Sequence, residues 1–429
     1  MTGGELVYGC VLIGLAIIGA CIGRFLNHCI DVFPKHERLR DQLRYLKDVD
    51  KSCARCGHRP TGTSKLPIVG WLLSAGRCGQ CRSRLSWQPP FVELVTAVLF
   101  VMVYWLEVPP SLVPQDSVLW SGTRVVGPQQ IDLFAAGVWL HARYLLHMVM
   151  ICGLIVATAI DARLRIIPDG CNVPIFFVAV VVSGLMAQTF ILPIWFQDAS
   201  SVRNIFLPLV PPDWRPWLGP WDPTDFIQQS PRLHGLLVSI VGAIVGAGSV
   251  WVIRVVGTWA LKQEAMGFGD VVLMGMIGSV IGWQPVLIVF LLAPGLAMII
   301  AVVNWLMHHD NEIPYGPFLS FATLLVLLAW PLIWPVAKPM FDMGPFFILT
   351  LAFMTMALAV TLQLVQMVKR LFGFQVGPVE ENLWTSGDHL HYYGQERPDE
   401  QTGQWPVDQW EGSRSGRGLK QYHDWKSGR

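Results

Sequence analysis

The stretch Gly267-Phe268-Gly269-Asp270 ends in a carboxylate and leads directly into an apolar run from Val271 to Ile281. An ionisable side chain is costly to place at the mouth of a hydrophobic segment, and such groups usually have a function. The two glycines allow the backbone to approach a neighbouring helix or an extended substrate closely. Asp270 is therefore the first candidate site residue.

The composition defines the class of protein around this stretch. The 429 residues are 53% hydrophobic and only 14% charged, and the mean hydropathy is +0.46. These values are typical of polytopic membrane proteins rather than of soluble domains, so the lipid bilayer is the expected surrounding. The formal net charge of +1 gives no reason to expect a nucleic-acid partner.

Apolar segments of spanning length predict an all-α fold, a polytopic transmembrane helical bundle. The number of spans is nine if the short segment after Asp270 crosses the membrane, and eight if it is re-entrant. Gly282 and Pro285 separate that segment from the helix that follows. The predicted spans are residues 6–26, 91–106, 131–160, 173–195, 234–261, 271–281, a longer helix ending at 307, 318–335 and 345–368.

The charges predict the orientation. Residues 33–90 form a polar loop with twelve Lys or Arg against four Asp or Glu. The positive-inside rule places this loop in the cytoplasm and the N-terminus on the outer side of the membrane. The predicted organisation is a membrane anchor (1–32), the cytoplasmic loop (33–90), the main bundle (91–370) with an outer insertion (196–233), and a disordered tail (371–429).

A second carboxylate, Asp161, follows the apolar run Ile151 to Ile160. Two predicted crossings separate Asp161 from Asp270, an even number, so both acids are expected at the same cytoplasmic edge. Two acids on facing helices in a partly dehydrated site cannot both ionise easily and can share a proton. The residue types leave an alternative open, in which Asp161 and Asp270 only cap helix ends.

The polar loop contains two Cys-x-x-Cys pairs that are separated by 21 residues. This spacing is typical of a four-thiolate zinc ribbon, and a reducing cytoplasm argues against disulfides. We expect a structural Zn2+ with no open coordination position, since the loop has too little apolar core of its own. The predicted ligands are Cys53, Cys56, Cys78 and Cys81.

The segment from Glu264 to Asp270, with Gly282-Trp283 beyond it, resembles the second aspartate motif of type IV prepilin peptidases, membrane proteases of the GxGD class. Asp161 with Ile167-Pro168-Asp169 is similar to their first aspartate motif. The resemblance implies that Asp161 and Asp270 form a catalytic dyad that removes the leader of type IV prepilins or pseudopilins at the cytoplasmic face. It also implies supporting roles for Gly267, Gly269, Glu264 and Asp169.

Other segments extend this resemblance. Pro314-Tyr315-Gly316-Pro317 is similar to the family's P-F-G-P turn and receives no chemical role here. The run Gly19 to Asn27 resembles the family's G-S-F-L-N motif, in a region associated with N-methylation from S-adenosylmethionine. Asn27 and Glu93 are the candidate residues of that methyltransferase region. Arg24 stands where the family has a small serine.

A rival interpretation from another class is a membrane transporter or channel. The two acids would then line an ion path, and the zinc ribbon would dock a partner. The position of Asp161 and Asp270 at span ends, rather than at mid-span, favours the peptidase.

Overall fold

The computed structural model describes residues 3–47, 56, 66–108, 133–186, 189–195, 199–221, 223–261, 266–307 and 314–371. Within these ranges all regular secondary structure is helical, and the only β-type pairing is an isolated bridge between Arg77 and Arg84. This confirms the predicted all-α fold. Cys53, Glu264 and the predicted tail beyond residue 371 lie outside the described residues.

Fifteen α-helices follow one another along this part of the chain. They are α1 Gly3–Val32, α2 Leu39–Arg44, α3 Val69–Leu73, α4 Gln88–Glu107, α5 Leu133–Leu164, α6 Asp169–Met186, α7 Ala199–Ser201, α8 Arg215–Leu218, α9 Thr224–Gln229, α10 Pro231–Leu261, α11 Phe268–Ile281, α12 Trp283–Met307, α13 Gly316–Leu328, α14 Trp330–Phe341 and α15 Phe346–Leu371.

Among the described residues, seven helices are long and apolar enough to cross a membrane, and the bent pair α13–α14 makes an eighth. The ninth predicted crossing rests on α11, whose 14 residues extend only about 21 Å at 1.5 Å per residue. Gly282, with φ +89°, separates α11 from α12, so the predicted break between a short helix and a longer one lies at this residue.

Two predicted spans differ from the observed helices. The span predicted at 318–335 breaks after Leu328, and α14 leaves at 98° to α13. Pro331 explains this break, because proline is tolerated in the first turn of a new helix but not within a continuing one. The span predicted at 173–195 begins at Asp169 and ends at Met186.

Residues 189–195 are not helical because side chains of two other helices hold their backbone. Trp283 donates to the carbonyl of Ile194, and Gln284 donates to the carbonyl of Pro193. The Ile194 N–H donates to His234. The backbone groups of this segment are thus satisfied without a helix.

Helices α10 and α11 touch through backbone atoms, without intervening side chains. A Cβ on Gly278 would lie 2.1 Å from the carbonyl oxygen of Gly242, and a Cβ on Gly242 would lie 2.0 Å from the carbonyl oxygen of Gly278. A Cβ on Gly246 would lie 2.3 Å from the carbonyl oxygen of Met274. Small residues permit this close approach in membrane helices, and here they fix the position of the helix that carries Asp270.

A buried ionic cluster joins α4 to α5. Glu107 at the end of α4 contacts His147 Nδ1, and its other oxygen lies 3.7 Å from Nε of Arg143. All three side chains are almost fully buried. Truncating one member of such a cluster leaves an uncompensated charge, so the cluster ties the two helices together.

The Gly242–Gly278 contact predicts the effect of adding one methyl group. Gly278→Ala forces α10 and α11 apart and should lower the free energy of unfolding by about 1–3 kcal/mol, the usual cost of overpacking. Thermal unfolding of the purified protein in detergent measures this loss of stability. The matched control is Gly248→Ala on α10, where a Cβ meets nothing within 4 Å. A Gly278→Ala variant as stable as the wild type would contradict the proposed packing.

Candidate active site

Asp161 and Asp270 lie at the ends of two different helices and line the same cavity. Asp161 is in the last turn of α5, and Asp270 is in the first turn of α11. Their side chains are 6% and 8% exposed, so both carboxylates are buried. Both residues line a cavity with a volume of about 180 Å³. The structure thus brings the predicted pair together.

Asp161 is held by the start of α13. The Gly316 N–H donates to Asp161 Oδ2 at 2.9 Å. Because Gly316 is the first residue of α13, the carboxylate lies at a helix N-terminus, where unpaired N–H groups and the helix dipole favour negative charge. A Cβ at Gly316 would lie only 2.6 Å from Asp161 Oδ2, so this contact requires glycine.

Asp161 does not cap its own helix. The end of α5 is closed by the backbone instead, since the Arg165 N–H donates to the Asp161 carbonyl at 2.9 Å. Arg165 has φ +58° and turns the chain into the segment Ile166–Pro168. Asp270 is not an N-cap either, because Gly267 occupies that position and makes no side-chain capping bond. Asp161 therefore contacts the start of α13 rather than capping α5, and Asp270 is not the N-cap of α11.

The second glycine of the Gly-Phe-Gly-Asp stretch has a packing role. A Cβ at Gly269 would lie 3.0 Å from Cβ of Ile167, tighter than an ordinary contact. Gly269 thus lets the segment after α5 pack directly beside Asp270. Gly267, Gly269, Arg165 and the exposed Asp169 also line the cavity.

The cavity has a wall that the sequence did not predict. Glu37 and Gln42, from the segment that follows α1, line it together with the two aspartates. Gly316 was also missed as a site residue, although its motif Pro314-Tyr315-Gly316-Pro317 was noticed. The signal for Gly316 was the similarity of its motif to the P-F-G-P turn. Glu37 and Gln42 lie in the loop that was predicted to be cytoplasmic, like the two acids, but no motif distinguishes them within it.

Three of the four predicted metal ligands cluster. The sulfur atoms of Cys56, Cys78 and Cys81 lie within 4.8 Å of one another, and those of Cys56 and Cys78 are 3.8 Å apart. The side-chain hydroxyl of Ser83 lowers the pKa of the Cys81 thiol, which favours the thiolate that binds metal. These three cysteines can hold a metal ion.

The side chain of Asn27 connects two helices, and the side chain of Glu93 connects a helix to the cysteine-containing loop. Asn27 Nδ2 donates to the carbonyl groups of Gly23 and Pro89, which links α1 to α4. Glu93 Oε2 accepts from the Ile68 N–H at 2.6 Å, just before α3. Both side chains are buried, and both attach the N-terminal region to the bundle.

The cavity therefore offers two buried carboxylates with access from the edge of a helical membrane bundle. One carboxylate can act as a general base on water while its partner acts as a general acid toward a carbonyl oxygen. This fold and this site define the class of membrane aspartic proteases.

Comparisons with known proteins identify the family. The model of the bacterial peptidase A24 N-terminal domain matches residues 17–106, and the model of the type IV leader peptidase family matches residues 226–303. Two parts of the chain thus match models of the type IV leader peptidase family, which supports the resemblance in its motifs. Asp270 lies within the second match, whereas Asp161 lies outside both.

The curated relatives agree with the two models. A protein of Pseudomonas putida named prepilin leader peptidase/N-methyltransferase is 23% identical over 330 residues, which are 73% of this chain and 88% of the relative. A protein of Aeromonas salmonicida with the same name is 27% identical over 296 residues, 67% of this chain and 74% of the relative. No solved structure matches the chain.

These relatives support a peptidase and do not support the alternative of a transporter or channel. The apolar helices and the family together indicate a multi-pass inner-membrane protein.

Proposed function

We propose that this chain is a membrane aspartic endopeptidase that removes the leader peptide of type IV prepilins or pseudopilins, with Asp161 and Asp270 as its catalytic pair. The observation that carries the proposal is that two carboxylates, 109 positions apart in the sequence, are buried in one cavity. The family match and the names of the relatives support the substrate class.

In the proposed reaction the two carboxylates share one proton. The ionised carboxylate takes a proton from water as the oxygen attacks the scissile carbonyl carbon, and its protonated partner gives a proton to the carbonyl oxygen. The tetrahedral gem-diol then collapses: the carboxylate that gave up its proton takes one from a hydroxyl group, the C–N bond breaks, and the carboxyl group that took the water proton gives it to the leaving amine. The pair is one titrating unit, so the acid and base roles belong to both residues.

Residues around the pair have supporting roles in this proposal. The Gly316 N–H holds Asp161, and Gly269 makes room for Ile167 beside Asp270. Asp169 lines the cavity from the first residue of α6, and Gly267 begins α11 as its N-cap. Glu264 keeps its predicted supporting role on sequence grounds alone.

We place the cavity on the cytoplasmic side. The support is the excess of Lys and Arg in residues 33–90, since this segment includes Glu37 and Gln42, which line the same cavity as Asp161. A substrate anchored by an apolar helix would then present its leader where water is available.

The dyad predicts that neither carboxylate can be replaced. Asp161→Asn and Asp270→Asn should each lower leader cleavage by about 10²–10⁴-fold, because each removes one member of the acid–base pair. The measurement is the mass of a co-expressed prepilin after purification. Asp213→Asn, at an exposed position in the outer insertion, is the control and should cleave normally. Normal cleavage by either dyad variant would disprove the assignment.

We also propose that the cysteine cluster binds a structural Zn2+. Three thiols within 4.8 Å fit the donor set of a closed zinc site, and Cys53 is the fourth ligand predicted from the sequence. Bound zinc would stabilise the fold of a loop that has little apolar core. It takes no part in peptide cleavage.

Metal analysis tests the zinc site. Cys53→Ser and Cys78→Ser should each lose most of the zinc that co-purifies with the wild type, because a closed site needs all of its thiolates. Cys10→Ser is the control, since Cys10 is an exposed residue of α1 outside the cluster. Full zinc content in the Cys78→Ser variant would rule out this ligand set.

N-methylation of the new N-terminus from S-adenosylmethionine is the second proposed activity, supported by the names of the relatives. The observed contacts of Asn27 join α1 to α4, and Glu93 accepts from the backbone just before α3, so both side chains bind backbone groups. No methyl-transfer step is therefore assigned to either side chain.

The mass of the mature pilin also tests methylation. Processing by the wild type should add the mass of one methyl group to the new N-terminus, and the Asp161→Asn variant should release no new N-terminus to modify. A cleaved but unmodified product would restrict the protein to proteolysis.

A further inference from the structure

The part of the cavity wall that belongs to the N-terminal region is hydrogen-bonded to α6, the helix that follows Asp161 in the chain. Gln42 in α2 is 1% exposed. Its Nε2 donates to the His36 carbonyl at 2.7 Å, and its Oε1 accepts from the Gly170 N–H at 2.7 Å. Gly170 is the second residue of α6, directly after Asp169. One side chain thus connects the N-terminal segment, which lies within the first family match, to α6, which lies outside both matches.

Only an amide satisfies both bonds. The His36 carbonyl needs a donor, the Gly170 N–H needs an acceptor, and the glutamine side chain carries one of each in a fixed relation. A carboxylate would serve Gly170 alone, and an apolar side chain of the same length would serve neither. Both hydrogen bonds are partly buried, so losing the partner leaves two backbone groups incompletely satisfied.

The contact at Gly170 leaves no free space. A Cβ on Gly170 would lie 2.7 Å from Gln42 Oε1 and 3.1 Å from the Phe33 ring. The N-terminal segment therefore packs against the backbone of α6 itself. Movement of Gln42 has to be transmitted to the chain beside Asp169.

The same short segment reaches both aspartates. Asp161 ends α5, Ile167 packs against Gly269 beside Asp270, and Gly170 is held by Gln42. Eight residues lie between Asp161 and Gly170, so anchoring Gly170 limits the position of Ile167 and with it the approach of α11 to α5.

We propose that Gln42 is a positioning residue for leader cleavage: it fixes the segment 165–170 so that Asp161 and Asp270 meet in a productive geometry. This inference rests on the proposed peptidase function. In this proposal, residues of the N-terminal region and of the peptidase bundle form the cavity together. The N-terminal region would then be required for proteolysis, independently of any methyl transfer.

The test compares variants of the full-length protein in detergent with a purified prepilin. Gln42→Met keeps the side-chain length and removes both bonds, and Gln42→Glu keeps only the acceptor for Gly170. The matched control is Gln284→Met, which removes a buried glutamine bond to the Pro193 carbonyl away from the cavity.

Gln42→Met should lower kcat by about 10- to 100-fold, as expected when reacting groups are displaced by a fraction of an ångström to one ångström. KM should change by less than about twofold, because the variant affects the transition state and not substrate binding. Gln42→Glu should recover part of the loss. Gln284→Met should keep the wild-type kcat in its folded fraction.

Hydrogen exchange supplies a readout that does not depend on activity. Amides of residues 165–172 should exchange faster in Gln42→Met than in the wild type, and those of α15 should be unchanged. Gly170→Ala disturbs the same contact. Combined with Gln42→Met, it should lower kcat little further, since the effects of substitutions at two residues in contact do not add.

The outcomes separate the two proposals. A wild type that leaves the prepilin uncut, while folded, would overturn the peptidase function. An active wild type with an unchanged kcat in Gln42→Met, or an equal kcat loss in Gln284→Met, would overturn the role of Gln42 and leave the peptidase function standing.

Discussion

The hydrogen bond from the Gly316 N–H to Asp161 is the interaction on which the site depends. A carboxylate buried in an apolar bundle has to be compensated by donors. Here the donor is the first backbone N–H of α13, so the end of α5 and the start of α13 have to meet. The helix that precedes α13 must consequently return to the same edge of the bundle, which determines the course of α11 and α12.

Much of this arrangement could be predicted from the sequence. The acid at Asp270, its two glycines and the pairing with Asp161 followed from apolar patterning and from counting crossings. The number of crossings gives the side of the membrane on which a residue lies. The number of crossings does not identify the residues that touch one another. For this reason the hydrogen bond from Gly316 to Asp161 was not predicted, although the motif around Gly316 was recognised.

Other features were beyond sequence reasoning for a different reason. Gln42 lies in a short polar segment with no periodicity, and its importance comes only from the backbone groups that tertiary packing places beside it. The bend between α13 and α14 and the non-helical segment 189–195 have the same origin. In each case backbone groups satisfied by distant side chains, or a proline within an apolar run, outweighed the hydropathy pattern. The predicted cysteine cluster depended on spacing alone and was recovered for the three cysteines that the structure describes.

The direct backbone contact between α10 and α11 has a mechanical consequence. Side chains at a helix interface can change rotamer and so permit small sliding motions, but two backbones in contact leave no such freedom. The position of Asp270 along α10 is therefore set by the glycines of α10 and α11. Adjustment of the cavity to substrates of different shape cannot come from sliding of α11 along α10.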